Sequence, residues 1–404
     1  MMYEYFKNLE SSLEKKINET PKSPNARKKY SLEVARIGKR LYSGKDKIAW
    51  TGIGVPFDIL NTMGITSCFV EFVGAMLAST GASGNFIKEA ENTGYASDSC
   101  SYHRAILGAL SQNLIPKPDF LVGTTLPCSG GLAVIENMAR KFKKSLFVLN
   151  VPQEDSLQNI KYLSDQLKDL VNFIQKETGI NFDENKLKEG IKKTNKARDL
   201  MIEAYNLAKK IPSPVDSRIL KDFGIVTALM LGTDAGIEVA KAYRDEFQAK
   251  VNSGESGVKG EKIRLLWIQN RIQFRYQLEK WMEEEFSASI VIDELNDITW
   301  EKIDVDDPFT GIAKRIISIP FNGKAEKRIE HLKFLAKEYK IQGAINPCNW
   351  GCRQGTGERG LISDGLKEIG VPVVNLEIDC IDQRNFAEGQ VKTRIAAFIE
   401  MISN

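Results

Sequence analysis

The chain of 404 residues lacks several features that mark common functional classes. Its 56 Lys and Arg residues nearly balance its 53 Asp and Glu residues, so no charge excess points to nucleic acid or an acidic membrane surface. No apolar run approaches the roughly 18 residues of a membrane-spanning helix. The best candidate, residues 68–77, contains Glu71 and is predicted to be a buried helix. We therefore expect neither a nucleic-acid nor a membrane partner.

Motifs for binding nucleotides are also missing. No GxxxxGK[ST] sequence occurs, so we expect no ATP to be bound through a P-loop in this chain. Residues 355–360 match GxGxxG, with Asp379 further along, but the first glycine does not directly follow a predicted strand. We predict no dinucleotide site there. The N-terminal residues are charged and lack the apolar core of a signal peptide, which predicts a cytoplasmic protein.

Short apolar runs alternate with amphipathic stretches in two parts of the chain. Predicted strands lie at residues 47–55, 119–125 and 145–151, and then at 263–268, 288–292, 343–346 and 372–376. Strands separated by helices at this spacing indicate parallel sheets. We predict an α/β fold with two Rossmann-like (flavodoxin-like) parallel-sheet domains, an N-terminal helical segment and a helical insertion.

The predicted domain boundaries follow changes in composition. The N-terminal helical segment is residues 1–45, broken by Pro21 and Pro24, and the first α/β domain is residues 46–152. The charged, helix-periodic residues 153–260 form the insertion, and residues 261–404 form the second α/β domain. The insertion suits a dimer contact, a dock for a partner or a lid, and the sequence does not choose among these.

Six cysteines divide equally between the two α/β halves. Disulfides are rare in reducing compartments, so we expect thiols or metal ligands. At least three follow predicted strands, where open α/β sheets build their sites, and Gly and Pro surround several of them. Small residues let backbone amides approach the sulfurs, which favours an iron–sulfur cluster in the cleft between the halves. The candidate ligands are Cys68, Cys100, Cys128, Cys348, Cys352 and Cys380.

Two other interpretations of the cysteines stay open. Isolated cysteines are often inert core residues, and Cys100 with His103 forms a CxxH pair of the kind that binds zinc. No paired CxxC ribbon accompanies that pair, so zinc is the weaker interpretation. Arg104 and Arg353 adjoin cysteines and are candidates to offset cluster charge, with solvated arginines as the alternative. His331 lies in a charged helix and is predicted to be on the surface.

Four motifs carry a resemblance to a known family: GVPFDIL at residues 54–60, CSYHR at 100–104, PCSGG at 127–131 and NPCNWGCR at 346–353. The chain resembles the 2-hydroxyacyl-CoA dehydratase and benzoyl-CoA reductase component family, specifically its double-cubane-cluster proteins. The resemblance implies homodimers and an ATP-hydrolysing iron–sulfur activator that supplies low-potential electrons. It also implies reduction of small molecules such as acetylene.

The resemblance further implies a division of the ligands. Dehydratase subunits hold one 4Fe-4S cluster on three cysteines, matched here to Cys68, Cys100 and Cys348, and the double-cubane branch adds three more. The remaining three, Cys128, Cys352 and Cys380, would complete two 4Fe-4S units bridged by sulfide. Reduction also consumes protons, and His103 and Glu71 are the candidate donors, each with a purely structural role as the alternative. A single-cluster dehydratase subunit and a non-catalytic electron carrier remain alternative functions.

Overall fold

The computed structural model describes residues 2–20, 25–217, 228–274 and 277–403. The strands are β1 (Ile48–Thr51), β2 (Thr66–Phe69), β3 (Phe120–Thr124), β4 (Leu146–Leu149), β5 (Ile263–Trp267), β6 (Ala288–Asp293), β7 (Gly343–Pro347) and β8 (Val373–Leu376). The α-helices are α1 (Met2–Glu19), α2 (Ala26–Leu41), α3 (Phe57–Thr62), α4 (Val70–Ser79), α5 (Ser83–Asn92), α6 (Ser101–Ser111), α7 (Ser129–Phe142), α8 (Leu157–Thr178), α9 (Glu184–Ala208), α10 (Asp234–Ser253), α11 (Leu278–Phe286), α12 (Pro308–Ser318), α13 (Ala325–Glu338), α14 (Arg353–Thr356), α15 (Arg359–Lys367) and α16 (Glu388–Ser403). Single 3₁₀ turns lie at Pro320–Asn322 and Gln383–Asn385.

The strands form two parallel sheets with the same topology. Their orders are β2-β1-β3-β4 and β6-β5-β7-β8, and every pairing is parallel. Strands β1, β3, β5 and β7 are buried along their whole length, which explains their continuous apolar runs. The predicted α/β fold with two Rossmann-like domains is confirmed. In each sheet the order reverses between the two central strands, and ligands of open α/β sheets bind beside such points.

The sequence pattern does not reveal strand β2. Residues 68–77 are predicted to be a single buried helix, but Cys68 lies in β2 and helix α4 begins only at Val70. Strand β2 has four residues and pairs with β1 so that Cys68 lies beside Trp50. Because so short a run has no periodicity of its own, only its pairing with β1 distinguishes it from the helix that follows.

Helices outside the sheets form the N-terminal segment and the insertion. Helix α1 packs on α2, where the Phe6 ring stacks on Tyr42 with centroids 5.8 Å apart. Pro21 and Pro24, predicted to break this segment, lie outside the described residues. Helices α8, α9 and α10 form the insertion, in which α9 packs against α10. The three predicted domain boundaries stay predictions.

Hydrogen bonds join the two α/β halves along the cleft. Ser101 Oγ donates to Asp379 Oδ1 at 2.6 Å, and Ser83 Oγ donates to the Ile381 carbonyl at 3.0 Å. Both donors come from the first half and both acceptors from the second. The halves are therefore held in register around the cysteine-bearing loops. Across the part of the chain that the structure describes, no helix is both long and apolar enough to cross a membrane.

Candidate functional site

Three cysteines from the two halves lie near one another at the cleft. Cys100 and Cys128 directly precede helices α6 and α7 of the first half, and Cys352 precedes α14 of the second. Burial raises the pKa of the Cys100 thiol well above its usual range, and the nearby charges of Cys352 and Cys128 raise it further. The structure thus places these three sulfurs within electrostatic range of one another.

Backbone amides point at two of these sulfurs. The Gly131 N–H donates to Cys128 Sγ at 3.2 Å, and the Gly355 N–H donates to Cys352 Sγ at 3.3 Å. Amides at helix N-termini stabilise thiolates and reduce the charge of an anionic cluster. Sulfur donors from two sheets, each backed by such amides, are a donor set that fits an iron–sulfur cluster.

A fourth thiol, that of Cys380, lies next to this group. Burial raises the pKa of Tyr102 well above its usual range, and the charge of Cys380 adds to this, followed by Cys100 and Cys352. The Tyr102 ring is therefore close to three thiols. The Cys380 N–H donates to Asn349 Oδ1 at 2.6 Å, which ties the two cysteine loops of the second half together.

Cys68 and Cys348 face other partners. The Cys68 thiol donates to the Phe69 carbonyl at 3.6 Å, and the Cys348 thiol lies 3.7 Å from Asn375 Oδ1. The trio of Cys68, Cys100 and Cys348 that the family resemblance implies stays a prediction. The structure places Cys100 near two of the cysteines assigned to the second set. The physical reason is geometric, since Cys348 directly follows β7 whereas Cys352 lies beyond a turn that carries it to Cys100.

Glu71 and His103 adjoin Cys128. One ligand atom from each of the three lies within 4.8 Å of the others, and His103 Nε2 is 3.4 Å from Glu71 Oε1. Burial lowers the pKa of His103, but its hydrogen bonds to Cys128 and Glu71 outweigh burial and raise the pKa to about 9. The imidazole thus lies beside Cys128 and Glu71. Cys100 occupies the N-cap position of helix α6, which contains His103.

The arginines and the second histidine differ in their surroundings. Arg104 is buried and pairs with Glu91, and its Nη2 lies 3.7 Å from Asp379 Oδ2. The Arg104 charge therefore stabilises the contact between the two halves. Arg353 is exposed. His331, predicted on the surface, has a side chain only 11% exposed that lies 3.7 Å from Asp297, so that prediction is wrong.

The glycine-rich segment supports the cysteine loop. Gly355 donates to Cys352, and Asp379, the acid that a dinucleotide would need, already accepts bonds from Ser101 and from the amides of Ile381 and Asp382. The segment at residues 355–360 thus has a local structural role.

Sequence reasoning missed two residues behind Cys352. Gln269 has φ +55° and places Nε2 3.9 Å from Cys352 Sγ, while Arg328 Nη2 donates to Gln269 Oε1 at 3.1 Å. Arg328 is buried and also binds Glu294. The available signal was the position of Gln269 directly beyond the apolar run that forms β5, at the carboxyl end of the sheet.

Gly351 allows the close approach of the Cys352 loop to Cys100. It has φ +73°, and a Cβ on it would lie 2.5 Å from the Cys100 nitrogen. We expect Gly351→Ala to destabilise the protein by more than about 1 kcal/mol, because an L side chain is strained there and meets backbone. Urea unfolding measures this. The matched control is Gly360→Ala, whose Cβ meets nothing within 4 Å, and equal midpoints for the two variants would contradict the expectation.

A cavity of about 190 Å³ lies behind the cysteine loops. It is lined by the loop after β1, by the insertion and by the segments that follow β6 and α12. Its lining includes Pro127, which precedes Cys128, and Phe69, which follows Cys68. Gln354, two residues beyond Cys352, donates to the carbonyls of two lining residues, Pro127 at 2.9 Å and Phe321 at 3.2 Å. The loop that carries Cys352 therefore contacts residues that line the cavity.

Comparison with known proteins places this site in a family. The chain is 27% identical to the (R)-phenyllactyl-CoA dehydratase alpha subunit of Clostridium sporogenes, over 88% of this chain and 90% of that protein. It is 24% identical to a benzoyl-CoA reductase subunit of Thauera aromatica, over 79% and 80%, and 23% identical to the lactoyl-CoA dehydratase alpha subunit of Anaerotignum propionicum, over 88% and 90%. The family model for the 2-hydroxyglutaryl-CoA dehydratase D-component matches residues 53–402. The chain therefore belongs to the 2-hydroxyglutaryl-CoA dehydratase D-component family.

Proposed function

We propose that the chain is the iron–sulfur component of an ATP-dependent reductase system, with its cluster held at Cys100, Cys128 and Cys352. The observation that carries the proposal is the meeting of these three thiols from both halves, with amides directed at two of them. A cluster bound there supplies electrons at low potential. Substrate would bind from the cavity that shares a wall with the cysteine loops.

We propose that the centre is a double cubane, with Cys380, Cys68 and Cys348 as the further ligands. The position of Cys380 beside Tyr102 supports this, since it adds a fourth thiol where a dehydratase-type site uses three. A second cubane would allow two electrons to accumulate before delivery. Cys68 and Cys348 would have to turn from their present partners to join the centre.

The second candidate is a dehydratase subunit with one 4Fe-4S cluster. The contacts of Cys68 and Cys348 favour it, because these two thiols meet Phe69 and Asn375, whereas Cys100 lies near Cys128 and Cys352 and three thiols suit a cubane with one open iron. Two of the similar proteins are dehydratase alpha subunits, whereas the third belongs to a reductase. A non-catalytic carrier would instead use a fourth protein ligand, for which Cys380 is the candidate.

Protons for the reduction would come from the pair beside Cys128. His103 is buried, and its Nε2 lies 3.4 Å from Glu71 Oε1. Glu71 keeps the imidazole oriented, while its second carboxylate oxygen is buried and lacks a hydrogen-bond partner among the described residues. We propose His103 as the proton donor and Glu71 as the residue that positions and recharges it.

Electrons would come from a separate protein. The similar proteins are named as subunits, and this supports the proposal that the chain functions together with other proteins. We propose an ATP-hydrolysing iron–sulfur activator as the electron donor, a homodimer as the assembly and the cytoplasm as the location. The absence of a P-loop motif in the sequence supports the use of ATP by the partner.

Metal and sulfide analysis of anaerobically purified protein tests these proposals. We expect about eight irons per chain for the double cubane and about four for the dehydratase-type site. Zinc without visible absorbance would overturn both. Addition of ATP, a strong reductant and the activator then separates enzyme from carrier. Acetylene reduction supports the reductase, whereas a reduced cluster with no turnover of acetylene or of an acyl-CoA supports the carrier.

A further inference from the structure

Two amide side chains follow strand β5 and lie against Cys352. Gln269 Nε2 is 3.9 Å from Cys352 Sγ, which is within reach of a weak hydrogen bond from nitrogen to sulfur. Asn270 Nδ2 is buried and makes no hydrogen bond of full geometry among the described residues. A Cβ on Gly355 would lie 3.0 Å from Asn270 Nδ2 and 3.5 Å from Cys352 Sγ. The amide of Asn270 and the sulfur therefore border one small space.

The Asn270 amide acts on the same sulfur as Gln269. Burial raises the pKa of the Cys352 thiol, and the Asn270 side chain, ahead of the Gly355 amide, opposes this rise. A buried donor that lacks a partner costs about 1–3 kcal/mol. A negatively charged acceptor at or beside the Cys352 sulfur would remove that cost. Asn270 Nδ2 is therefore a donor placed for such an acceptor.

The backbone at Gln269 explains how two consecutive side chains reach one sulfur. Successive side chains of an extended strand point to opposite faces, so the strand must be interrupted between them. Gln269 is buried and has φ +55°, a left-handed conformation that costs about 1–3 kcal/mol for a residue other than glycine. Such residues cluster at functional sites. The interruption directly after β5 thus marks Gln269 and Asn270 as a functional pair.

Arg328 determines which end of the Gln269 amide faces the sulfur. Its Nη2 donates to Gln269 Oε1 at 3.1 Å, and a guanidinium has no acceptor. The Gln269 oxygen must therefore face Arg328, which leaves Nε2 toward Cys352. Arg328 also donates to Glu294 at 2.8 Å and to Glu358 at 3.1 Å. Because its charge is balanced by these carboxylates, its contribution at the sulfur is to orient the amide.

We infer that Gln269 and Asn270 are positioning residues that direct side-chain N–H groups at the Cys352 sulfur and raise the reduction potential of the centre bound there. The inference rests on the proposed function for the presence of that centre, and it holds for one cubane or two with Cys352 as a ligand. A reduced cluster carries one more negative charge than an oxidised one, so donors to a ligand sulfur stabilise the reduced state more. Arg328 acts through Gln269.

Redox titration of the anaerobically purified, cluster-containing protein tests this, with EPR of the reduced centre as the readout. Gln269→Leu and Asn270→Ala each remove one donor. At the midpoint potential of the parent, each is expected to lower the ratio of reduced to oxidised centre about threefold. The double variant is expected to lower it about tenfold, which is about 59 mV for a one-electron couple. Gln248→Leu removes an exposed amide in α10 and should keep the potential of the parent.

Arg328→Lys tests the orienting role separately. Lysine keeps the positive charge but lacks the planar fork that holds a carboxylate and an amide together. This variant is expected to lower the potential of the parent and to add no further shift to Gln269→Leu. Equal shifts in the two backgrounds would contradict an action through Gln269.

Iron is counted in every sample, so failure of this inference is distinguishable from failure of the proposed function. Full iron content with the parent's potential in both Gln269→Leu and Asn270→Ala would overturn the inference alone. A parent protein without iron would overturn the proposed function and the inference together. If Gln269→Leu does not fold, Gln269→Glu keeps the shape and replaces the donor with an oxygen. An unchanged potential in that variant would overturn the inference equally.

Discussion

Cys352→Ser is expected to lose most of its iron during anaerobic purification. Cys352 belongs to the second half and lies near Cys100 and Cys128 of the first, and an amide donates to its sulfur. A serine hydroxyl is a poor ligand for iron, so the cluster would lose a ligand that the second half supplies. Iron, sulfide and visible absorbance per chain measure the effect. Full iron content in this variant would contradict the site.

Cys348→Ser is the matched comparison because it changes the same atom four residues away. If the centre is a double cubane, this variant should lose or degrade the cluster, as should Cys68→Ser and Cys380→Ser. If the centre is a single cubane on Cys100, Cys128 and Cys352, Cys348→Ser and Cys68→Ser should retain about four irons. If it is a single cubane on Cys68, Cys100 and Cys348, those two variants should lose the cluster and Cys352→Ser should keep it. The pattern across the variants therefore chooses between the two candidate functions without assuming a substrate.

Asp58→Asn is expected to destabilise the protein by about 3–5 kcal/mol, because it leaves the buried Arg315 without its counter-charge. Asp58 lies in α3, accepts from Arg315 Nη1 at 2.9 Å and from Thr194 Oγ1 at 2.6 Å, and is fully buried. It joins the first half to the insertion and to α12. Urea unfolding measures the change.

Two further variants separate the ion pair from simple packing. Asp58→Asn combined with Arg315→Met should recover part of the loss, because neither buried charge remains. Lys161→Met removes an exposed pair with Asp165 and should change the unfolding midpoint little. An Asp58→Asn protein as stable as the parent would show that the pair contributes nothing net.

The pair also predicts a dependence on pH. Burial alone would raise the pKa of Asp58, but the charge and hydrogen bonds of Arg315 outweigh burial and lower it. The ionised carboxylate therefore contributes stability above the pKa of the unfolded chain, about 3.9, and this is lost as pH falls through the lower folded pKa. The difference in unfolding free energy between parent and Asp58→Asn should be constant above about pH 5 and shrink below about pH 4. A difference that grows on acidification would contradict this.

Local sequence determined the classes of structure and the kind of chemistry. Apolar runs separated by amphipathic stretches predicted two parallel sheets, because strands buried on both faces must be continuously apolar. Cysteines flanked by Gly and Pro beyond such runs predicted thiol ligands at the strand ends, and the motifs at residues 100–104 and 346–353 indicated the family, which the comparison confirms. The sequence pattern did not predict strand β2, because a run of four residues shows no periodicity. Only its pairing with β1 defines it.

Tertiary structure alone decided which cysteines meet. Cys348 and Cys352 are four residues apart and equally plausible in sequence, and the left-handed turn at Gly351 brings the loop of Cys352 against Cys100. The partner of His103 was decided in the same way, since Cys128 and Glu71 come from other elements. Sequence spacing describes neighbours along one chain segment, whereas a site in a cleft depends on how two sheets pack. That is why the residue types were predictable here and their grouping was not.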